Sequence, residues 1–187
     1  MQTYKIIYNF HRSNNIFSKA IRLVTRTQRF NHVSITVGDT TFEAKANPFK
    51  GFCSFKGSYR GTYSYEQWIK EPNTETHKLE VTTTKEKYIK IFELLKSYDG
   101  HKNIKICGIH IKIPKTKYDY KSMLGFLSNT NLQDKKSLYC SEIASYTFEI
   151  ITDRKLTRKT NLSPDDFYLM VLYFNIGRGV FTNEISK

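Results

Sequence analysis

Apolar and polar positions along the chain alternate with two different periods, and their order predicts the elements. Thr3–Phe10 (TYKIIYNF) is rich in β-branched and aromatic residues with polar neighbours, which predicts a strand. Ser13 or Asn14 then stands where a helix cap belongs, with Ile16, Phe17, Ala20, Ile21 and Val24 as the buried stripe of a helix to about Thr27. In HVSITVGDTTFEAKA, His32, Ser34 and Thr36 alternate with Val33, Ile35 and Val37, while Thr41, Glu43 and Lys45 alternate with Phe42, Ala44 and Ala46. A period of two on both sides of Gly38-Asp39 predicts a β-hairpin. His32 and Glu43 both fall off the apolar positions and become near neighbours across the pair.

Further along, the Gly- and Tyr-rich stretch after Pro48 reads as short strands and loops, with Trp68 in the core. His77–Thr82 predicts a strand. Thr83 with Glu86 forms a capping box for a helix bearing Tyr88, Ile91, Phe92, Leu95 and Tyr98 on one face and stopped by Asp99-Gly100. Ile104–Ile113 reads as a strand, Pro114–Lys117 as a loop and Tyr118–Leu127 as a short helix. Another helix begins at Cys140, with Ile143, Ala144, Thr147, Ile150 and Ile151 at helical spacing. Ser163-Pro164-Asp165-Asp166 opens a last short helix with Pro in its first position, and VLYFNI (171–176) reads as a final strand. There is no internal repeat or low-complexity linker, so the expectation is a single domain over 1–187, of α+β class, with an antiparallel sheet packed against helices.

Composition narrows the function classes. The chain has 187 residues, 39% hydrophobic and 14% aromatic, which suits a folded core rather than disorder. No apolar run approaches the roughly 20 residues that cross a bilayer. MQTYKIIYNFHR has no basic region leading into a long apolar one, so no secretory signal is expected, and a cytoplasmic or virion-associated location follows. Cys53, Cys107 and Cys140 form no C-x-x-C pair, which points to reduced thiols, without a metal or other cofactor. Lys and Arg number 30 against 17 Asp and Glu, a net charge of +13, and residues 1–60 alone hold ten basic and two acidic side chains. Such an excess suits an anionic partner: a cell-wall polymer, a lipid head group, or nucleic acid, for which no RNP-like or helix-turn-helix pattern speaks. Alternatively it only keeps the chain soluble. Lys19, Arg22, Arg26 and Arg29 follow at steps of three and four, as an ordinary solvated face or as a docking strip for an anion.

The candidate chemistry centres on Cys140. A thiol in a first helical turn faces unpaired backbone N–H groups and the positive end of the helix dipole, and both favour thiolate. A small thiol packed beneath a helix is the commoner case, so a nucleophile also requires a base and a group that orients it. His32 is the candidate base and Glu43 the candidate orienter, with N–H groups at the start of the thiol helix as oxyanion donors. The other histidines are weaker candidates: His11 falls in a loop, His77 starts a strand, His101 follows a helix-stopping glycine and His110 lies within a strand.

Four segments in order resemble the permuted NlpC/P60-like, papain-like enzymes, specifically their YiiX-like branch. They are the helix leading into Asn31-His32-Val33-Ser34-Ile35; the return strand Thr41-Phe42-Glu43-Ala44; Tyr118-Asp119-Tyr120 with Leu124 and Gly125; and Tyr139-Cys140-Ser141-Glu142 followed by Ser163-Pro164-Asp165-Asp166-Phe167. Together they span about residues 14–170. The chain departs from the family at its start, where Thr3–Phe10 stands in place of a Gly-Asp pair. The resemblance implies a circularly permuted papain-like fold, with the base-bearing strand before the thiol in sequence. It implies Cys140 as nucleophile, His32 as base and Glu43 as third member. Tyr118, Tyr120 and Arg29 are the candidate substrate-binding residues. Relatives of this kind cleave amide bonds, often in cell-wall peptides, or move acyl groups on lipids. A thiol hydrolase of an amide, ester or thioester bond is therefore the first expectation, and a lipid acyl hydrolase or transferase the second. A non-enzymatic basic binding protein, incorporated in a virus or phage particle, is the third.

Overall fold

A computed structural model of the chain describes residues 3–12, 19, 22–23, 29–44, 52–56, 75–106, 109–119, 137–156, 162–178 and 184–186. The central sheet is built from β1 (Tyr4–Arg12), β2 (His32–Val37), β3 (Thr40–Ala44), β4 (Phe52–Lys56), β5 (Glu75–Thr83) and β10 (Glu184–Ser186). Their spatial order is β10-β5-β1-β2-β3-β4, and every neighbouring pair is antiparallel. β6 (His101–Ile106) pairs with β7 (Ile109–Pro114), and β8 (Lys117–Tyr118) runs parallel to β9 (Ser137–Leu138). The longer described helices are α1 (Lys85–Tyr98), α2 (Cys140–Thr152) and α3 (Pro164–Gly177). The class is α+β, with an antiparallel sheet packed against helices.

Register divides the sheet into two faces. Ile6 opposes Val37, Tyr8 opposes Ile35 and Phe10 opposes Val33, so these six share one face, and Val81 and Leu79 extend it on β5. The helices cover this face. Tyr8 donates to or accepts from Thr147 Oγ1 of α2 at 2.9 Å and meets Phe167 of α3 edge-on, with ring centroids 5.1 Å apart. Phe92 of α1 packs edge-on against Phe42. The face is apolar, and its burial is the main stabilising term of the fold. The opposite face carries Asn9, His11, Ser34, Thr36, Thr41, Glu43 and Thr76, and these too are buried.

Helix ends follow local chemistry. Thr84 caps α1, its side chain accepting from Lys87 N, so the cap falls one residue after the expected Thr83. Ser163 and Asp166 form a reciprocal capping box at α3, with Pro164 in the first turn.

Several expectations are corrected. VLYFNI is not a strand but the second half of α3, where Val171 and Asn175 are buried and Asn175 donates to the Glu80 carbonyl at 2.8 Å. His11 lies in β1, which runs two residues beyond Phe10, and not in a loop. Ile104–Ile113 is not one strand: β6 and β7 form an antiparallel pair, and His101 is the first residue of β6. Pro114 ends a strand, and Lys117–Tyr118 is a short strand where a loop and a helix start were expected. In the expected first helix Lys19, Arg22 and Leu23 are helical; the rest of it, Trp68 and the Tyr120–Leu127 segment lie outside the described residues.

Candidate active site

The hairpin sets the separation of His32 and Glu43. Two residues connect Val37 to Thr40, and Gly38 has φ of 62°, the first-position glycine of a type II′ turn. A Cβ on Gly38 would also stand 2.8 Å from Tyr88 Oη. This tight turn pairs Ser34 with Glu43, which leaves His32 as the diagonal neighbour on the same face. His32 Nε2 lies 3.3 Å from Glu43 Oε2, with the two side chains 13% and 3% exposed.

Cys140 reaches the same imidazole from another layer. Its α2 helix begins after Tyr139, whose side chain makes no capping bond, so the first-turn N–H groups face the thiol. The backbone N–H groups of Ser141 and Val33 and the His32 ring act on the sulfur electrostatically and favour its thiolate. Nε2 of that ring is engaged by Glu43. A strand N–H lies in the plane of its sheet, and β2–β3 pairing ends at Ser34 and Glu43.

The electrostatics of the pair are mutual. Burial alone pushes the Cys140 thiol up, but the His32 hydrogen bond and charge, with the two N–H donors, outweigh it, and the thiol is held below its ordinary value. Burial opposes charge on His32 as well. The Cys140 hydrogen bond, the Glu43 hydrogen bond and the charges of both raise it to about 9. Both shifts favour a thiolate beside an imidazolium.

Two acidic residues in first helical turns, given no role above, make specific contacts. Asp165, in the first turn of α3, accepts the N–H of Phe30 through Oδ1 at 2.7 Å and of Arg29 through Oδ2 at 3.0 Å. This fixes the backbone just ahead of His32. Glu142, in the first turn of α2, is fully buried and accepts from Tyr146 Oη at 3.0 Å. Their signal in the sequence was position, since acids in first helical turns suit the dipole.

The expected substrate-side residues divide. Arg29 is stacked on Phe30 and Tyr168, its guanidinium carbon 5.2 and 5.3 Å from their ring centres, with Nη2 3.4 Å from His77 Nδ1. These contacts tie it to the start of α3. The Tyr118 backbone pairs with Leu138, which lies just before the thiol helix, and Asp119 beside it is buried. Tyr120 lies outside the described residues. Among the described residues no cluster of three metal-ligating side chains occurs, and no helix is long and apolar enough to cross a membrane.

No family model matches the chain, and no curated protein or solved structure matches it significantly.

Proposed function

We propose that the chain is a cysteine hydrolase on a permuted papain-like, NlpC/P60-type fold, cleaving an amide, ester or thioester bond through Cys140, His32 and Glu43. The reading is supported by an imidazole 3.3 Å from a carboxylate and by its charge interaction with a buried thiol held below its ordinary value. In this mechanism the Cys140 thiolate attacks the substrate carbonyl, forming a C–S bond and an oxyanion held by N–H groups at the start of α2. Collapse breaks the bond to the leaving group, which takes the proton from His32. Neutral His32 then removes a proton from water, whose oxygen attacks the thioester. C–S cleavage releases the acid and restores thiolate and imidazolium. Glu43 keeps the ring in one tautomer and stabilises its charge. The net charge of +13 supports an anionic substrate or surface, such as a cell-wall polymer or a lipid head group.

Cys140 is only 3% exposed, so small reagents test the reading best. With iodoacetamide at pH 7, Cys140 is expected to react at least roughly tenfold faster than Cys53, and His32→Ala to abolish the excess. With p-nitrophenyl acetate, an acetyl adduct on Cys140 is expected to appear and then clear. Equal alkylation of both thiols, or an adduct elsewhere, would overturn the reading.

A further inference from the structure

His11 has no part in that mechanism, yet its ring lies directly against the proposed base. The His11 and His32 centroids are 5.6 Å apart with planes 26° from parallel. His11 is fully buried and sits in a line of side-chain hydrogen bonds across the polar face. Its Nδ1 is 3.0 Å from Thr76 Oγ1 and its Nε2 3.0 Å from Ser34 Oγ. The line continues from Ser34 through Asn9 Nδ2 to Thr36 Oγ1 and Thr41 Oγ1.

Two stacked, buried imidazoles cannot both carry charge, and their partners decide which one does. His32 faces the carboxylate of Glu43 on β3 and the thiol of Cys140 on α2. Each ring nitrogen of His11 meets a hydroxyl, which serves a neutral imidazole as donor on one side and acceptor on the other. Among the described residues, the charged groups that lower His11 are His32 on β2 and Lys78 on β5. Burial first, then these two, push His11 well below its ordinary value.

We infer that His11 is a positioning residue for His32: a ring held by two hydroxyls, whose face supports the His32 ring and keeps it in line with Glu43 and Cys140. A cation over an aromatic face is attracted to it, and the hydroxyl bonds prevent the supporting ring from turning away. The inference rests on the hydrolase reading for its purpose, but not for its test.

Two variants separate the ring from its hydrogen bonds. His11→Gln keeps polar reach to Ser34 and Thr76 without an aromatic face; His11→Phe keeps the face without the polar atoms. Cys140 alkylation is followed against pH, and the His32 ring is titrated by 15N NMR in wild type, in each variant, and in each variant combined with Cys140→Ala. His11→Gln is expected to move the acid limb of alkylation up by about one unit, so that reactivity there falls roughly tenfold, and to lower the His32 titration. His11→Phe should stay within about threefold of wild type. In wild type the His11 nitrogens should report a neutral ring from pH 5 to 9. A His11→Gln variant with an unchanged His32 titration, or a His11 that titrates together with His32, would overturn the inference. If wild-type Cys140 has no excess reactivity, the hydrolase reading fails while the NMR comparison still decides the role of His11.

Discussion

On one face of the sheet Ile6, Tyr8 and Phe10 are completely buried; on the other, Asn9, His11 and Ser34 are buried to within a percent or so. Burial does not distinguish the two faces, but chemistry does. The apolar face gains from leaving water whatever the fine geometry. The polar face gains nothing unless each donor and acceptor finds its partner, and a line of bonds from Thr76 to Thr41 supplies them. A slip of one residue would exchange the faces, so the polar row also fixes the register that brings His32 to Glu43. One face holds the molecule together, and the other determines what His32 can do.

The largest effect that separates the faces should come from Phe167, which meets Tyr8, Phe10 and Phe148. Phe167→Ala is expected to cost about 3–5 kcal/mol in chemical denaturation while the folded fraction keeps its thiol reactivity. A loss of reactivity as well would mean the faces are not separable. Next, Asp165→Ala leaves two N–H groups without their acceptor and should cost about 1–3 kcal/mol. It should also slow Cys140 alkylation, whereas Asp166→Ala, which removes only the cap, should not.

Glu43→Gln should leave stability nearly unchanged and reduce Cys140 reactivity by at least roughly tenfold, the equivalent of one pKa unit. In wild type, His32 keeps its proton until about pH 9. Without the carboxylate, the alkaline limb of ester turnover should move down toward the ordinary value of 6.5. An unmoved limb would remove Glu43 from the proposed site.

Acid should expose the neutral ring of the polar face. His11 is held well below 6.5 in the folded chain, so the unfolded chain binds the proton first and stability falls as the pH drops below 6.5. His32 shifts the opposite way, and its contribution is already complete below 6.5. That contribution is lost progressively as the pH rises from 6.5 through about 9. The His11 slope approaches about 1.4 kcal/mol per pH unit, and His11→Phe should abolish it in denaturation measured between pH 5 and 6.5. Smallest of all, Tyr8→Phe should cost about 0.5–1.5 kcal/mol, since Thr147 Oγ1 still donates to the Ala144 carbonyl at 2.7 Å.

The hairpin and the thiol helix were legible because a strict period of two and a helical period stand beside a turn or a first-turn cysteine. VLYFNI misled because α3 is apolar around most of its surface, and a short apolar run has no period that tells helix from strand. His11 was missed because the strand was ended at Phe10, although Lys5, Ile7, Asn9 and His11 continue the alternation. Sequence could not show that β5 lies on the far side of β1 from β2, or that Thr76 meets His11, because such pairings join residues 65 positions apart. A pairing of Cys140 with His32 is proposed from chemical requirement, since nothing local in sequence connects them.

The bond from Asp165 to Phe30 spans 135 positions. A ribosome that has already delivered both the thiol and its imidazole has therefore not yet supplied the tie that steadies the backbone ahead of that imidazole. A nascent or C-terminally clipped chain ending before Asp165 would hold Cys140 and His32 without that backbone tie.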